Sequence, residues 1–342
     1  MVLHRMAFTS IITVLAALIA GSSAFAGPGT QPVHQTDCFA APHVCGFPDA
    51  SNTGVPKGMQ LKPSGSVEAT EDGAVIKGLE VTGTIEIDAD DVTIEDTKVT
   101  LDGEGCGSRS TCGNYDVHIE DGTTDTVIRD SEFLAAPGTT CEHTIRNSAG
   151  PDMRLIRVYM NGCDSNIYGG GTLKDSYGLA RIAIADDHVE NVYMDDSKFI
   201  AIHDTLLNPV GQTAVVFGDS NGGEETSDCR NRITVRSSLI AGGGYSIYPC
   251  AHAEGPGTSK LIVEGNHFAR CTTKEGYEPD GGAHPCVGGP DSYGYYPNSG
   301  SYGVMTDYFA GAAQWRNNVW DDNLQKLCID GRSAKKTCSR GR

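Results

Sequence analysis

The sequence lacks a hydrophobic run long enough to cross a membrane. A spanning helix needs about 20 predominantly apolar residues, whereas the apolar run at residues 11–20 is about half that length. His4 and Arg5 precede this run, and the small-x-small sequence Ala24–Ala26 follows it, as in a signal peptide. An uncleaved anchor is disfavoured because no stop-transfer pattern follows. We therefore expect residues 1–26 to be removed and the protein to be secreted.

The sequence also lacks a Cys-x-x-Cys pair, which argues against a zinc site. Its even number of cysteines, in a chain expected to be secreted, predicts disulfides instead. Pairing neighbours in order would give six local loops, although spacing alone does not settle the connectivity. The cysteines are Cys38, Cys45, Cys106, Cys112, Cys141, Cys163, Cys229, Cys250, Cys271, Cys286, Cys328 and Cys338.

Basic residues are few. The chain has 26 Lys and Arg against 44 Asp and Glu, a formal net charge of −18. This balance argues against a nucleic-acid partner, because phosphate binding needs clusters of basic side chains. A polyanionic ligand would also be repelled unless a cation or a local basic patch intervened. We expect a soluble monomer.

Long amphipathic helical patterns are absent, and a repeated strand pattern takes their place. Apolar residues alternate, a charged residue follows, and then comes Asp, Asn, Gly or Ser. Alternation with period two indicates strands, and the last position suits a tight bend because these residues tolerate left-handed dihedrals. The repeats are VIKGLEV, VTIEDTKV, TVIRDSEF, GTLKDSYG, VYMDDSKF, ITVRSSLI, LIVEGNHF and AQWRNNVW, from Val75, Val92, Thr126, Gly171, Val192, Ile233, Leu261 and Ala313 respectively.

Such a repeat predicts a right-handed parallel β-helix, in which each coil buries its apolar face by stacking on the next. A β-sandwich is the main alternative, but it needs regularly spaced two-residue hairpin turns, which are few. The predicted inward column is Ile76, Ile94, Ile128, Leu173, Met194, Val235, Val263 and Trp315. The predicted outward column is Lys77, Glu95, Arg129, Lys174, Asp195, Arg236, Glu264 and Arg316.

The ends of the mature chain differ from this repeat. We expect the Pro-rich residues 27–57, which hold Cys38 and Cys45, to cap the first coil, since an open solenoid end exposes unpaired backbone. Residues 58–322 would form the β-helix. Residues 275–301, rich in Gly, Pro and Tyr, would form a long loop. Residues 323–342 would form a disulfide-bonded tail.

Several segments carry a resemblance to a known group: CGFPDASNTGVPKG from Cys45, AGGGYSIY from Ala241, GNHFARC from Gly265 and WRNNVW from Trp315. On these segments the chain resembles the secreted right-handed parallel β-helix repeat proteins of actinobacteria, and more widely the superfamily of pectate lyases, polygalacturonases and phage tailspikes. The resemblance covers most of the mature chain. It implies action on an extracellular polysaccharide, by analogy of fold.

The catalytic motifs of that superfamily are not matched. Asp-Asp pairs occur at Asp186–Asp187 and Asp195–Asp196, but the Gly-His-Gly and Arg-Ile-Lys motifs of polygalacturonases and the Arg-x-Pro-x-x-Arg run of pectate lyases are missing. The His-x-Asp-Gly-Ile-Gln stretch common in the repeat group has its nearest counterpart at His188, with Glu190 in place of Asp. No mechanism is therefore implied residue by residue.

The densest cluster of ionisable groups lies between residues 181 and 204, and we predict the site in a groove near residues 186–219. Glycoside hydrolysis needs two carboxyl groups, whereas a polysaccharide lyase needs a base and a neutraliser for the substrate carboxylate, often a cation. The candidate catalytic residues are Asp187, His188, Glu190, Asp195, His203 and Asp204. The candidate substrate-binding residues are Arg181, Tyr193, Lys198, Gln212, Arg236 and Tyr245. Asp187 and Asp195 are candidate Ca²⁺ ligands.

Structural roles compete with each of these assignments. His203 and Asp204 fit a hydrogen-bonded bend, Asp195 fits a solvated outer face, and His188 fits an ordinary loop. The alternative function is that of an extracellular glycan- or cell-surface-binding β-helix without catalysis. A structural solenoid without a small ligand is a third reading.

Overall fold

The strands of the protein stack into three parallel sheets that together form a parallel β-helix. The computed structural model describes residues 38, 41–101, 115–136, 139, 141–180, 189–195, 197–208, 214–219, 231–243, 245–250, 261–269, 303–305, 313–328 and 336–337. None of these residues forms a helix that is long and apolar enough to cross a membrane. The predicted fold is confirmed. The right-handed sense of winding stays a prediction, based on the strong preference of parallel connections for that hand.

Each coil contributes one strand to each sheet, in the order A, B, C. Sheet A contains β1 (Lys62–Ser64), β4 (Leu79–Thr82), β7 (Lys98–Leu101), β10 (Glu132–Ala135), β13 (Tyr159–Asn161), β16 (Tyr177–Leu179), β19 (Thr205–Asn208), β22 (Leu239–Gly242), β25 (His267–Phe268) and β28 (Val319–Trp320). Sheet B contains β2 (Val67–Ala69), β5 (Ile85–Ile87), β8 (Tyr115–Ile119), β11 (His143–Asn147), β14 (Ser165–Tyr168), β17 (Glu190–Asp195), β20 (Ala214–Asp219), β23 (Tyr245–Tyr248) and β26 (Gly303–Met305). Sheet C contains β3 (Val75–Lys77), β6 (Thr93–Glu95), β9 (Val127–Arg129), β12 (Arg154–Ile156), β15 (Gly171–Lys174), β18 (Lys198–Ile202), β21 (Arg232–Arg236), β24 (Leu261–Glu264) and β27 (Ala313–Arg316).

The register of sheet C confirms most of the predicted columns and corrects one repeat. The inward column is Ile76, Ile94, Ile128, Leu155, Leu173, Ala201, Val235, Val263 and Trp315. Ala201 occupies the place predicted for Met194, and Ile202 occupies the outward place predicted for Asp195. Both replaced residues lie in β17 of sheet B. The columns were mispredicted at VYMDDSKF because this segment runs from the end of a sheet B strand into a sheet C strand. The other repeats each contain the end of a sheet C strand.

The bend from sheet C to sheet A has the same backbone conformation in coil after coil. Its first residue has a positive φ, between 50° and 68° in every coil from Asp96 to Gly265. Of the predicted bend positions Asp96, Asp130 and Asp196, the first two adopt it, as does Asp175, and Asp196 lies outside the described residues. Asn and Asp tolerate this left-handed region better than most residues, which explains the repeated Asp and Asn signal in the sequence.

A buried polar column follows directly after the bend. Backbone N–H groups of one coil donate to side-chain oxygens of the next: Ser176 to Asp204 Oδ1 (2.8 Å), Asp204 to Ser238 Oγ (3.0 Å), and Ser238 to Asn266 Oδ1 (2.9 Å). This satisfies donors that the bend leaves without a strand partner. We call this set the polar ladder: Thr97, Ser131, Ser176, Asp204, Ser238, Asn266 and Asn318, each 0% exposed.

The described part of the N-terminal segment contacts the outside of the coils, and the cap predicted for residues 27–57 stays a prediction. Residues 41–57, with Cys38 disulfide-bonded to Cys45, run along the outside of the coils. Phe47 packs in a cluster with Cys38 and Leu239, and the Gly54 N–H donates to the Arg157 carbonyl oxygen at 2.9 Å. We call this segment the strap. It crosses from late coils back to early ones before β1 begins.

The C-terminal segment covers the last coil, in agreement with the predicted tail. β29 (Leu327–Cys328) pairs antiparallel with β30 (Lys336–Thr337), and Leu327 is fully buried in the main core. Trp315 Nε1 donates to the Leu327 carbonyl oxygen at 2.8 Å. Disulfides Cys38–Cys45 and Cys141–Cys163 confirm two of the predicted local pairings, and Cys250 and Cys328 are also disulfide-bonded.

Candidate functional site

The outer face of sheet B carries a continuous column of chemically active side chains. Consecutive coils align one half-buried residue each, because parallel strands stack in register at about 4.8 Å. We call this set the sheet B column: Glu86, His118, Arg146, Tyr168, Tyr193, Phe217 and Tyr248.

Aromatic rings fill the later half of the sheet B column. The ring centroids are separated by 5.3 Å for Tyr168–Tyr193, 5.4 Å for Tyr193–Phe217 and 5.2 Å for Phe217–Tyr248. Such offset or tilted contacts are favourable beyond the area they bury. Because each ring faces its neighbours, the column presents ring edges and hydroxyl groups along its length.

Arg146 extends the ring stack at its early end. Its guanidinium carbon lies 5.5 Å from the Tyr168 ring centroid, a cation–π contact. Its buried Nε has no hydrogen-bond partner, and no ion pair to it occurs among the described residues. On a strongly acidic chain, such a cation is available to a negatively charged or hydroxyl-rich ligand.

A tyrosine–carboxylate pair lies beside the rings. The Tyr168 hydroxyl donates to Asp195 Oδ2 at 3.2 Å. Burial raises the pKa of Tyr168, and the nearby negative charge of Asp195 raises it further. The hydroxyl therefore stays protonated at neutral pH. The sequence prediction had placed Asp195 in this site, but had missed Tyr168.

A second column of sheet B is mostly buried. In β17, the consecutive residues Asn191 and Val192 are both 0% exposed. Glu190 precedes them in the same strand. Glu190 is 1% exposed, and its Oε2 accepts from the Ser165 hydroxyl at 3.2 Å. Tyr245 is half-buried and is aligned with Ala214 of the preceding coil, and its ring centroid lies 6.2 Å from that of Tyr248.

The structure divides the predicted site residues between two sides of the coil. Glu190, Tyr193, Asp195 and Tyr245 lie on sheet B. Lys198 begins a strand of sheet C and His203 follows its end, so this five-residue strand, about 17 Å long, separates His203 from Asp195. Arg236 is also on sheet C, 3.6 Å from Glu264. These groups do not form one cluster.

His203 and Asp204 have structural partners. His203 Nδ1 lies 2.7 Å from Asp175 Oδ1, and its Nε2 lies 2.8 Å from the Gly46 carbonyl oxygen. Asp204 belongs to the polar ladder, and burial raises its pKa well above the usual carboxyl value. A group inside the coil cannot contact a polymer outside it. We therefore leave both residues out of the proposed site.

The remaining predicted residues, Arg181, Asp187, His188 and Gln212, lie outside the described residues. The proposed Ca²⁺ ligand Asp187 is among them. The other, Asp195, is aligned with Asp219 of the next coil.

Metal-ligating atoms also converge early in the sheet B column. One atom each from Glu86, His118 and Glu120 lie within 4.8 Å of one another. His118 Nδ1 is 3.0 Å from Glu86 Oε2 and 3.4 Å from Glu120 Oε1. A hydrogen on Nδ1 accounts for these contacts without a metal, because that N–H can donate to either carboxylate.

The aromatic residues of the sheet B column have a signal in the sequence, although only Tyr193 among them was predicted. Each follows a β-branched residue that points inward, in Ile167–Tyr168, Val192–Tyr193, Val216–Phe217 and Ile247–Tyr248. The charged bends of sheet C form the more obvious repeat in the sequence, and this second repeat carries no charge that would mark it.

Comparisons with known proteins give no relative: no family model, curated protein or solved structure matches the chain. The resemblance to secreted polysaccharide-active β-helix proteins therefore stays a prediction, whereas the parallel β-helix itself is established by the strand pairing.

Proposed function

We propose that this protein is secreted and acts on an extracellular polysaccharide that binds along the sheet B column. The observation that carries the proposal is the unbroken run of Arg146, Tyr168, Tyr193, Phe217 and Tyr248 over five consecutive coils. At about 4.8 Å per coil, this strip is about 20 Å long. An extended polymer matches such a strip better than a compact small molecule does.

The chemistry of the strip suits a sugar chain. Tyrosine hydroxyls and ring edges offer hydrogen bonds and apolar contact to a ligand that is itself amphipathic. Arg146 offers donors for hydroxyl or carboxylate oxygens, and it supplies the local positive charge that an anionic glycan would need on this acidic protein.

Tyr168 and Asp195 are the described groups best placed for bond cleavage. A protonated tyrosine hydroxyl can donate a proton to a leaving oxygen, and a hydrogen-bonded carboxylate can accept one. In a lyase reaction, a base removes a proton next to a uronate carboxylate, and Arg146 would neutralise that carboxylate. In a hydrolase, Asp195 would act with a second carboxyl group.

Binding without cleavage is the second candidate function. Its support is the state of the predicted catalytic groups: His203 is engaged at both ring nitrogens, while Asp204 and Glu190 are buried. A protein with this column alone would hold a glycan and leave it intact.

Incubation of the purified protein with a panel of uronate and neutral glycans tests these alternatives. Ultraviolet absorbance of an unsaturated product indicates a lyase, and new reducing ends without that absorbance indicate a hydrolase. Retention of a glycan with neither signal supports the binding function. Failure to retain or alter any glycan would contradict the proposal.

Variants identify the surface involved. Tyr168→Phe removes the hydroxyl that contacts Asp195 and keeps the ring stack, so cleavage should fall while glycan retention persists. Arg236→Ala, on sheet C, is the matched control and should leave both properties unchanged. Equal losses in the two variants would place the site elsewhere.

A further inference from the structure

The strap is attached to the coils through a histidine. His203 sits at the bend after β18 with φ 61°, and its imidazole lies between the coil and the strap. Nδ1 faces a carboxylate of the coil, Asp175 Oδ1, at 2.7 Å. Nε2 faces the strap carbonyl oxygen of Gly46 at 2.8 Å.

These two partners define the charge that His203 must carry. A carboxylate oxygen and a carbonyl oxygen both accept hydrogen bonds, whereas neutral imidazole has only one N–H. In the neutral ring, one nitrogen lone pair would face an acceptor lone pair. Only the doubly protonated, positively charged ring satisfies both contacts at once.

An aromatic side chain of the strap depends on the same histidine. Phe47 stacks on His203 with ring centroids 6.1 Å apart, and it meets His267 edge-on at 5.1 Å. His267 Nδ1 is in turn 2.9 Å from Asp321 Oδ1, whose side chain is 0% exposed. Phe47 is therefore held between two imidazoles that are each oriented by a carboxylate.

We propose that His203 makes the attachment of the strap depend on protonation: the Gly46–Phe47 end is fixed to the coils while His203 is charged, and it detaches when the ring loses its proton. The strap would stay tied at Gly54, where its contact with Arg157 is between backbone groups. Detachment would uncover Leu239, which is 0% exposed beneath Phe47 and Cys38.

The other charged groups near His203 have partners of their own. Lys174 Nζ lies 3.9 Å from Asp175, Arg157 forms two hydrogen bonds of 2.6 Å with Asp130, and Arg236 lies near Glu264. Asp204, the next residue in the chain, is buried inside the coil. Among the described residues, His203 is the charged partner that links Asp175 to the strap.

The carboxylate of Asp49 makes the stability of the strap depend on pH in the acid range as well. Burial tends to raise the pKa of Asp49, but hydrogen bonds from Ser51 and His43 outweigh it and lower the pKa overall. A lowered pKa means that the ionised form stabilises the fold, and this contribution is lost as the pH falls through the folded-state value. The strap should therefore be most firmly attached in the pH range where Asp49 is ionised and His203 is protonated.

Hydrogen exchange detected by mass spectrometry tests the proposal on the full-length protein. Amides of residues 41–53 should lose about tenfold in protection between about pH 5 and about pH 8, after correction for intrinsic exchange, since the lost hydrogen bonds involve a charged group. The Gly54 amide, bonded to Arg157, should keep its protection. His203→Asn tolerates the left-handed bend and cannot titrate, so its strap should show no such step.

Controls separate this effect from general loosening. His118→Asn removes a histidine of sheet B and should retain the wild-type step. Ring nitrogen NMR shifts of the wild-type protein report the charge of His203 directly and need no variant. A pH-independent strap, a step that persists in His203→Asn, or a neutral His203 ring at about pH 5 would each overturn the proposal.

Discussion

The outward columns of sheets B and C are built on the same coils, yet they carry different chemistry. On sheet C, opposite charges meet at both ends of the outward column: Glu95 lies between Lys77 and Arg129, and Glu264 is aligned with Arg236 and Arg316. Hydrogen bonds from Lys77 and Arg129 lower the pKa of Glu95, so this carboxylate is balanced by its neighbours. On sheet B, Arg146 has no ion-pair partner among the described residues, and four aromatic rings follow it.

The difference indicates which face is structural and which is available to a ligand. Opposite charges in register stabilise neighbouring strands and stay hydrated, so the sheet C column needs no partner. A half-buried cation beside stacked tyrosines leaves hydrogen-bonding capacity unused. A prediction based on ionisable groups divides the site between sheets B and C, whereas the ring stack points to sheet B alone.

The largest expected effect comes from cutting the ring stack. Tyr193→Ala should weaken glycan retention by at least about tenfold, because truncation of a central aromatic residue often removes that much binding energy. Tyr193→Phe keeps the stack and should retain most of the affinity. Titration of a retained glycan by calorimetry measures both, and equal affinities for the alanine variant and the wild type would remove the sheet B column from the site.

A smaller effect is expected from the cation. Arg146→Lys keeps the charge but loses the planar contact with Tyr168, so affinity for an anionic glycan should fall a few-fold, on the order of 1 kcal/mol or less. Arg146→Ala should lower the affinity for an anionic glycan further and should abolish the salt dependence of binding. A variant with unchanged salt dependence would show that Arg146 does not contact the ligand's charge.

A change inside the coil should raise stability and leave binding alone. Burial raises the pKa of Asp204, so ionising this carboxyl costs more in the folded protein than in the unfolded chain, where it ionises above about pH 4. This penalty grows as the pH rises. Asp204→Asn keeps an acceptor oxygen for the Ser176 N–H and places no charge at the unpartnered Oδ2 position. It should therefore stabilise the protein by about 1–3 kcal/mol at neutral pH, with less gain near pH 4, as chemical denaturation at the two pH values would measure. A loss of glycan cleavage in this stable variant would restore Asp204 to the site.

The smallest effect is expected on sheet C. Lys77→Ala removes one of the two cations beside Glu95 and should lower the melting temperature only slightly, since exposed ion pairs contribute little. Glycan retention should be unchanged. A tenfold loss of affinity would break the distinction between the two faces.

The sequence was sufficient to predict the coil but not the site. Stacked apolar residues such as Ile94 and Ile128, and the Asp bends after them, repeat clearly because every coil needs them. The cluster at residues 181–204 looked continuous in the sequence, but the chain changes sheet between Asp195 and Lys198. The route of the strap was equally hidden, because its contacts join Gly46 to His203, which are far apart in sequence.

The bends between sheets C and A give the molecule one side that resists insertion. From β6 onward, each bend has the same two positions: a left-handed residue, then the position filled in most coils by the polar ladder. An extra residue there would shift every later coil. The other two connections vary widely, from Gly242–Tyr245 to Phe268–Gly303 between sheets A and B. New sequence can therefore be grafted beside sheet B without disturbing the scaffold, which makes that flank the natural place to evolve or engineer new specificity.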